Sequence, residues 1–215
     1  MLISAPLAPL RSGPLPRHAL LVAQPAEPLH EATYTDLEAL PRNVIGEIVN
    51  GMLHVMPRPA SRHANATSVL GIELGGPFQR GRGGPGGWRI LDEPELHFPN
   101  PLTKAGKDVL VPDLAGWRRE RMPQLLDVAH FTLVPDWICE VLSESTETFD
   151  REEKMPIYAR EGVRWAWLVD PIKRTLEAYG LEGRRWMEGG RWIEDDLVRA
   201  APFEAIELEL GALWK

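Results

Sequence analysis

The sequence predicts an α/β fold, strands interleaved with short helices, on three observations. VLVPDL, WICEVL and WAWLVD are apolar runs of strand length closed by turn residues. Between the last two lie a polar turn and a short helical segment carrying Lys154 and Tyr158, four apart and therefore on one side of a helix. Upstream, Asn50-Gly51 joins two β-prone runs, the strongest short-range hairpin signal.

Length and composition set the bounds. At 215 residues the chain suffices for one domain with a substantial core, and 44% apolar with 26% charged residues is ordinary globular composition. Collagenous, wholly disordered and membrane-spanning classes are thereby excluded. The single cysteine, Cys139, has no internal disulfide partner and lies in an apolar run as a small hydrophobe, so a cysteine-based zinc site is excluded too. Pro6, Pro9, Pro14 and Pro16 interrupt any N-terminal apolar core, so no secretory signal is read and a cytoplasmic protein is expected. A formal charge of -7 and a pI near 5.4 argue against non-specific coating of nucleic acid. They leave a nuclease open, because a carboxylate-rich metal site is itself acidic.

In chain order, residues 1–30 hold seven prolines or glycines among small apolar residues and read as a flexible arm, with the folded domain expected over 31–215. In TYTDLEAL, Thr35 and Glu38 form a capping-box pattern for a short helix ending at Pro41. VIGEIVNGMLHVM is the hairpin, with Glu47 in or just before its first strand. Ala64, Val69, Ile72, Leu74 and Phe78 recur at helical spacing and predict a helix with His63 near its start and Pro77 limiting its end. GRGGPGG is a loop that lacks phosphate-binding spacing, with Arg80, Arg82 and Arg89 nearby as candidate phosphate contacts.

WRILDEPELHF reads as β structure with Glu93, Glu95 and His97 on one face. In VLVPDLAGW, Val109, Val111 and Asp113 share a face, and Pro112 disturbs the ladder, so Asp113 is expected at a strand end or bulge. In WICEVL, Ile138, Glu140 and Leu142 face one way and Trp137, Cys139 and Val141 the other. A carboxylate between apolar neighbours there needs a partner. Asp150 and Glu153 form a helix start signal, Pro156 predicts a helix that is kinked or begins later than Asp150, and Gly162 is its C-cap. WAWLVD is a strand covered on both faces and ended by Pro171. TLEAYGL and RRWMEGGRWIED read as a meander with a Gly-Gly turn, whose exposed strand offers an edge for a homo-oligomer.

Two strand-borne carboxylates, Asp113 and Glu140, with Lys154 downstream make the kit of a divalent-metal phosphodiesterase. Hard cations such as Mg2+ or Mn2+ take oxygen ligands. Such a metal acidifies water and offsets phosphoryl charge, and an ammonium nearby orients that water or stabilises the transition state. On the residues alone a structural alternative stands beside this: Asp113 as a turn residue after Pro112, Glu140 ion-paired to an arginine, and Lys154 solvated on its helix.

VPDLAGW, then WICEVLSEST, then D-R-x-x-K, then Y-x-x-x-G-V-x-x-x-W-L-V-D-P resemble the Uma2 family (DUF820) of endonuclease-like proteins within the PD-(D/E)XK nuclease superfamily. The resemblance covers roughly Tyr34 to Leu210 and is most specific from Pro112 to Pro171. It implies a restriction-endonuclease-like core, a mixed β-sheet flanked by helices, with Asp113 as the motif aspartate and Glu140 as the second acid. The superfamily lysine, two residues after that acid, is Leu142 here. The family is similar in lacking it, and Lys154 stands as the migrated substitute. Glu47 matches the acid before the family's first hairpin, and His63 a recurrent histidine at the start of the next helix, where capping or core hydrogen bonding competes with a chemical role. Glu95 is a further candidate ligand or a solvated strand position, and Tyr158 is expected to pack.

The function expected is metal-dependent hydrolysis of DNA phosphodiester bonds, with Asp113 and Glu140 on Mg2+ or Mn2+, Glu47 assisting and Lys154 positioning the attacking water. DNA is then the partner, held weakly or transiently given the acidic balance. The alternative is an inactive nuclease-fold module that binds nucleic acid or a partner protein, which Leu142 and the acidic balance favour. A sugar hydrolase would need acids straddling a glycan groove, and no periodic aromatic platform accompanies the eight tryptophans.

Overall fold

Asn50 and Gly51 take φ of 51° and 80°, the two left-handed positions of a tight hairpin turn, and join β1 (Val44–Val49) to β2 (Met52–Pro57) with Val49 opposite Met52. The computed structural model describes residues 31–215, so the predicted arm over 1–30 lies outside the described residues. The first helix, α1 (Tyr34–Glu38), is capped by Thr33 and Asp36 rather than by Thr35 and Glu38. The Asp36 carboxylate accepts from the Thr33 N–H and hydroxyl at 2.8 and 2.7 Å. Both pairs have the right spacing. The earlier start places Tyr34 and Leu37 together against Ile48 and Val109, and that burial decides.

Two sheets carry the fold. The first has the order β2-β1-β5-β4, all antiparallel, with β4 at Leu96–Pro99 and β5 at Lys107–Leu110. The second has six strands in the order β10-β9-β8-β7-β6-β3: β3 (Trp88–Asp92), β6 (Leu114–Arg118), β7 (Trp137–Val141), β8 (Trp165–Asp170), β9 (Thr175–Glu182) and β10 (Arg185–Ile193). Only its β7 and β8 are parallel, joined through a helical crossover, so this sheet is mixed. A small pair, β11 (Leu197–Val198) with β12 (Leu208–Glu209), closes the chain.

The two runs read as β structure, WRILDEPELHF and VLVPDLAGW, are each divided between the sheets. WRILDEPELHF ends β3 at Asp92, turns at Glu93 with φ of 43°, and resumes as β4 in the other sheet. VLVPDLAGW leaves β5 after Leu110 and enters β6 at Leu114. Pro112 has no N–H for a ladder, so the chain changes sheets there and Asp113 sits in the crossing.

The helix α2 (Ser61–Leu74) runs into a wide π turn over Gly75–Gln79. The crossover helix starts earlier than Asp150: α3 (Glu147–Phe149) passes through a π turn at Asp150–Lys154 into α4 (Met155–Glu161). There the Met155 N–H reaches back to the Asp150 carbonyl, and the widened turn accommodates Pro156, which cannot donate and would crowd a regular turn. Gly162, with φ of 84°, ends the helix as expected. The meander turns at Gly183-Arg184, both left-handed, and not at Gly-Gly. Gly189-Gly190 instead makes a bulge inside β10, where the Trp192 ring fills the space of an absent Gly190 side chain.

The period-two reading of β7 holds. Trp137, Cys139 and Val141 pack on one face with α2, Trp167 and Phe203, and Ile138 and Leu142 on the other with α4 and strands of the first sheet. Trp88, Trp117, Trp137 and Trp167 are fully buried, each removing roughly 150–250 Å² from water, about 4–6 kcal/mol before entropy is counted. No helix among the described residues is long and apolar enough to cross a membrane.

Candidate active site

The seam between the two sheets opens into a cleft of about 200 Å³ lined by His63, Asp113, Glu140, Asp150 and Lys154. Each comes from a different local cause. Asp113 is delivered by the Pro112 crossing, where its Oδ2 accepts the Val141 N–H at 2.7 Å and its Oδ1 lies 3.2 Å from His63 Nε2 in the first turn of α2. Glu140 is turned off the tryptophan layer by strand alternation, and its Oε1 accepts from Tyr158 Oη at 2.6 Å and faces Lys154 Nζ at 2.9 Å. Glu47, on β1 of the other sheet, accepts the Val111 N–H at 2.6 Å and meets Lys154 Nζ at 2.9 Å, both through Oε1. Its Oε2 is buried with no hydrogen-bond partner among the described residues.

Lys154 is the hub. Its side chain is 3% exposed, and Asp150 Oδ1 lies 3.7 Å away, one turn earlier. The π turn buries Asp150 and Lys154 together. Lys154 is therefore not the solvated helix residue of the structural alternative, and Glu140 is paired to it and not to an arginine. Leu142, in the place of the superfamily lysine, is buried in the core.

Charge is out of balance here. Three carboxyl groups, Glu47, Glu140 and Asp150, surround one ammonium, and a fourth, Asp113, lines the same cleft. Burial pushes Glu140 well above the usual carboxylate range; Lys154 pulls it down, while Asp150, Asp113 and Glu47 push it further up. Burial likewise lifts Asp150 to about 6 against the pull of Lys154. Burial alone would lower Lys154, but Glu140, Glu47 and Asp150 together raise it well above its ordinary value. Burial also acts to lower His63, and its hydrogen bond and attraction to Asp113 outweigh that and raise it. A buried site with this excess of carboxylate oxygen, one of them unpartnered, suits a hard dication.

Of the residues singled out from sequence, Asp113, Glu140, Lys154, Glu47 and His63 converge. Glu95 does not line the cleft. Its carboxylate accepts from Tyr34 Oη at 2.8 Å and lies 2.6 Å from His97 Nε2. Arg89 donates to the Met122 and Pro123 carbonyls, so it holds chain instead of facing phosphate. Arg80 and Arg82 line a different cleft along α2. Two residues of the site carry no chemical role in the sequence reading: Asp150, whose local pattern is that of a helix cap, and Tyr158, which the spacing assigns to packing. Asp150, Lys154 and Tyr158 form a stripe at intervals of four, which is the signal that would have found both.

A family model, Uma2, described as "Putative restriction endonuclease", matches residues 32–209. The chain belongs to the Uma2 family. The matched span of this Uma2 chain takes in Glu47, Asp113, Glu140 and Lys154, and the family is one of restriction-endonuclease-type nucleases. Among solved structures, the chain is similar to the 1.96 Å crystal structure of "a putative nuclease belonging to DUF820" from Anabaena variabilis ATCC 29413. The two are 22% identical, with a TM-score of 0.66 over 85% of this chain and 97% of that one. At that identity the likeness shows the fold, a mixed sheet flanked by helices. No curated protein matches this Uma2 sequence.

Proposed function

We propose that this Uma2 chain is a Mg2+- or Mn2+-dependent endonuclease that hydrolyses DNA phosphodiester bonds. The observation that carries the proposal is the convergence of Glu47, Glu140 and Asp150 on Lys154, with Asp113 lining the same cleft, four acids from four separate stretches of chain. Asp113 and Glu140 would hold the metal, with Glu47 assisting through its unpartnered Oε2. When bound, the metal supplies Lewis acidity to water and positive charge to the phosphoryl oxygens. Lys154 stays an ammonium, since its neighbours hold its proton tightly, so it acts by donating a hydrogen bond to water or phosphate and not as a base. Tyr158 orients Glu140, and His63 orients Asp113. DNA is engaged transiently, in keeping with the net charge of -7. The folded unit is 31–215, and a cytoplasmic location accords with the reading. β10, the outer strand of its sheet, is the edge a second copy would pair with.

The test is cleavage of supercoiled and linear DNA by the purified chain. Cleavage is expected with Mg2+ or Mn2+, abolished by EDTA, and lost in Asp113→Ala and Glu140→Ala variants that keep wild-type circular dichroism. Equal cleavage by both variants would overturn the assignment and point to a contaminating nuclease. The alternative, an inactive nuclease-fold module, draws on the buried Leu142 in place of the superfamily lysine. Calorimetric titration with Mn2+ separates the two, because only the enzyme needs a metal site of carboxylates.

A further inference from the structure

A second group of ligand-type side chains meets outside the cleft. Phe131, in the long connection between β6 and β7, pairs with Leu96 in a short parallel bridge: the Phe131 N–H donates to the Glu95 carbonyl at 2.8 Å and the His97 N–H to the Phe131 carbonyl at 2.9 Å. That pairing brings His130 beside His97, with the rings stacked at 3.7 Å and 8°. One donor atom from each of Glu95, His97 and His130 lies within 4.8 Å of the others. Two imidazoles and a carboxylate suit Zn2+ and similar borderline dications, whereas Mg2+ prefers oxygen throughout.

We propose that Glu95, His97 and His130 form a second cation site, for Zn2+ or a similar transition-metal dication, that clips the β6–β7 connection to β4. Three protein ligands leave a fourth position for water. Tyr34 Oη, 2.8 Å from Glu95, orients the carboxylate from α1 and so ties that helix to the same centre. An imidazole lone pair lies in its ring plane, so two stacked rings cannot both point at one ion, and loading requires half-buried His130 to rotate out of the stack.

The hydrogen bonds say what loading must change. Lys107 Nζ lies 3.0 Å from His97 Nδ1 and can only donate, so Nδ1 accepts and the neutral ring carries its proton on Nε2, facing Glu95. On loading, the cation takes the Nε2 lone pair and the ring proton moves to Nδ1. Lys107, half-buried, must then swing away from a nitrogen that has become a donor. Lys107 therefore opposes the metal, and an acceptor in its place favours it.

The test is calorimetric titration of the full chain with Zn2+, in excess Mg2+ and again in an Asp113→Asn/Glu140→Gln variant that removes the carboxylate cleft. One equivalent of Zn2+ should bind in both, with a rise in Tm. His130→Ala, checked for fold by circular dichroism, should weaken binding by roughly tenfold or more, and Lys107→Gln should tighten it by about tenfold. Zn2+ binding that is absent from the double variant, or unchanged by His130→Ala, overturns the site. Weaker binding by Lys107→Gln does so too, because it would make Lys107 a support of the cluster and not an opponent of loading.

Discussion

Replacing Lys154 by Met removes the one ammonium from a buried ring of acids and keeps most of the side-chain volume. Its Nζ lies 2.9 Å from both Glu47 and Glu140 and 3.7 Å from Asp150. At an effective dielectric near 20, each of the two close contacts is worth about 6 kcal/mol gross, most of it cancelled by the desolvation of both partners. What remains when one partner is lost is the stranded charge, a cost of about 3–5 kcal/mol for a buried pair. That cost should depend on pH. Glu140 and Asp150 have folded-state pKa values raised above the unfolded ones, so the folded state binds protons more readily than the unfolded chain. Below the ordinary carboxylate range both are protonated in either state, and as pH rises through the range in which wild-type Asp150 ionises in the folded chain, about 6, and beyond, the folded variant must hold charge without the ammonium that eases it, while the unfolded chain holds that charge easily. Lys154→Met should therefore lose little stability near pH 4.5 and the full amount near pH 8, with Mn2+ restoring part of the loss. Urea melts at the two pH values, with and without Mn2+, read this directly. A loss below about 1 kcal/mol at pH 8, or one equal at both pH values, would refute the electrostatic account.

The wild-type chain without metal should itself become less stable as pH rises from about 4 past 6, the range in which Asp150 ionises in the folded state, and Mn2+ affinity should strengthen over the same range as metal replaces protons; pH-dependent melts and calorimetry check both. Glu140→Gln keeps an acceptor for Tyr158 and Lys154 but loses a metal-ligand charge, so stability at pH 7 should change by less than about 1 kcal/mol while cleavage falls by about 10²-fold or more. A variant that cleaves normally would remove Glu140 from the mechanism. Tyr158→Phe deletes one of two donors to Glu140 Oε1 and should cost about 1–2 kcal/mol in urea melts, with a smaller loss of cleavage than Glu140→Gln.

Local rules settled much of this protein from sequence. Asn50-Gly51 made its turn because two successive left-handed residues are what a tight hairpin needs, and Gly162 ended its helix for a related reason. WICEVL sorted its side chains correctly, since alternation is a property of any strand, and that alone turned Glu140 away from the tryptophan layer. The acids and the lysine were legible as a chemical kit, with the family resemblance assigning their places. Tertiary structure decided how they assemble. Pro112 could be seen to disturb a strand, but not to move the chain from one sheet to the other, and it is that crossing that brings Glu47 and Glu140 to the same ammonium. Asp150 read as a cap because its local pattern allows one, and only a widened turn against β7 and β1 makes it part of the site. Glu95 shared a strand pattern with polar neighbours, yet a backbone bridge to Phe131 gave it His130 as company and a place apart from the cleft. Backbone conformation and strand period depend on near neighbours in sequence, whereas contacts between distant stretches depend on which surfaces can be buried together, and a single sequence does not state those pairings.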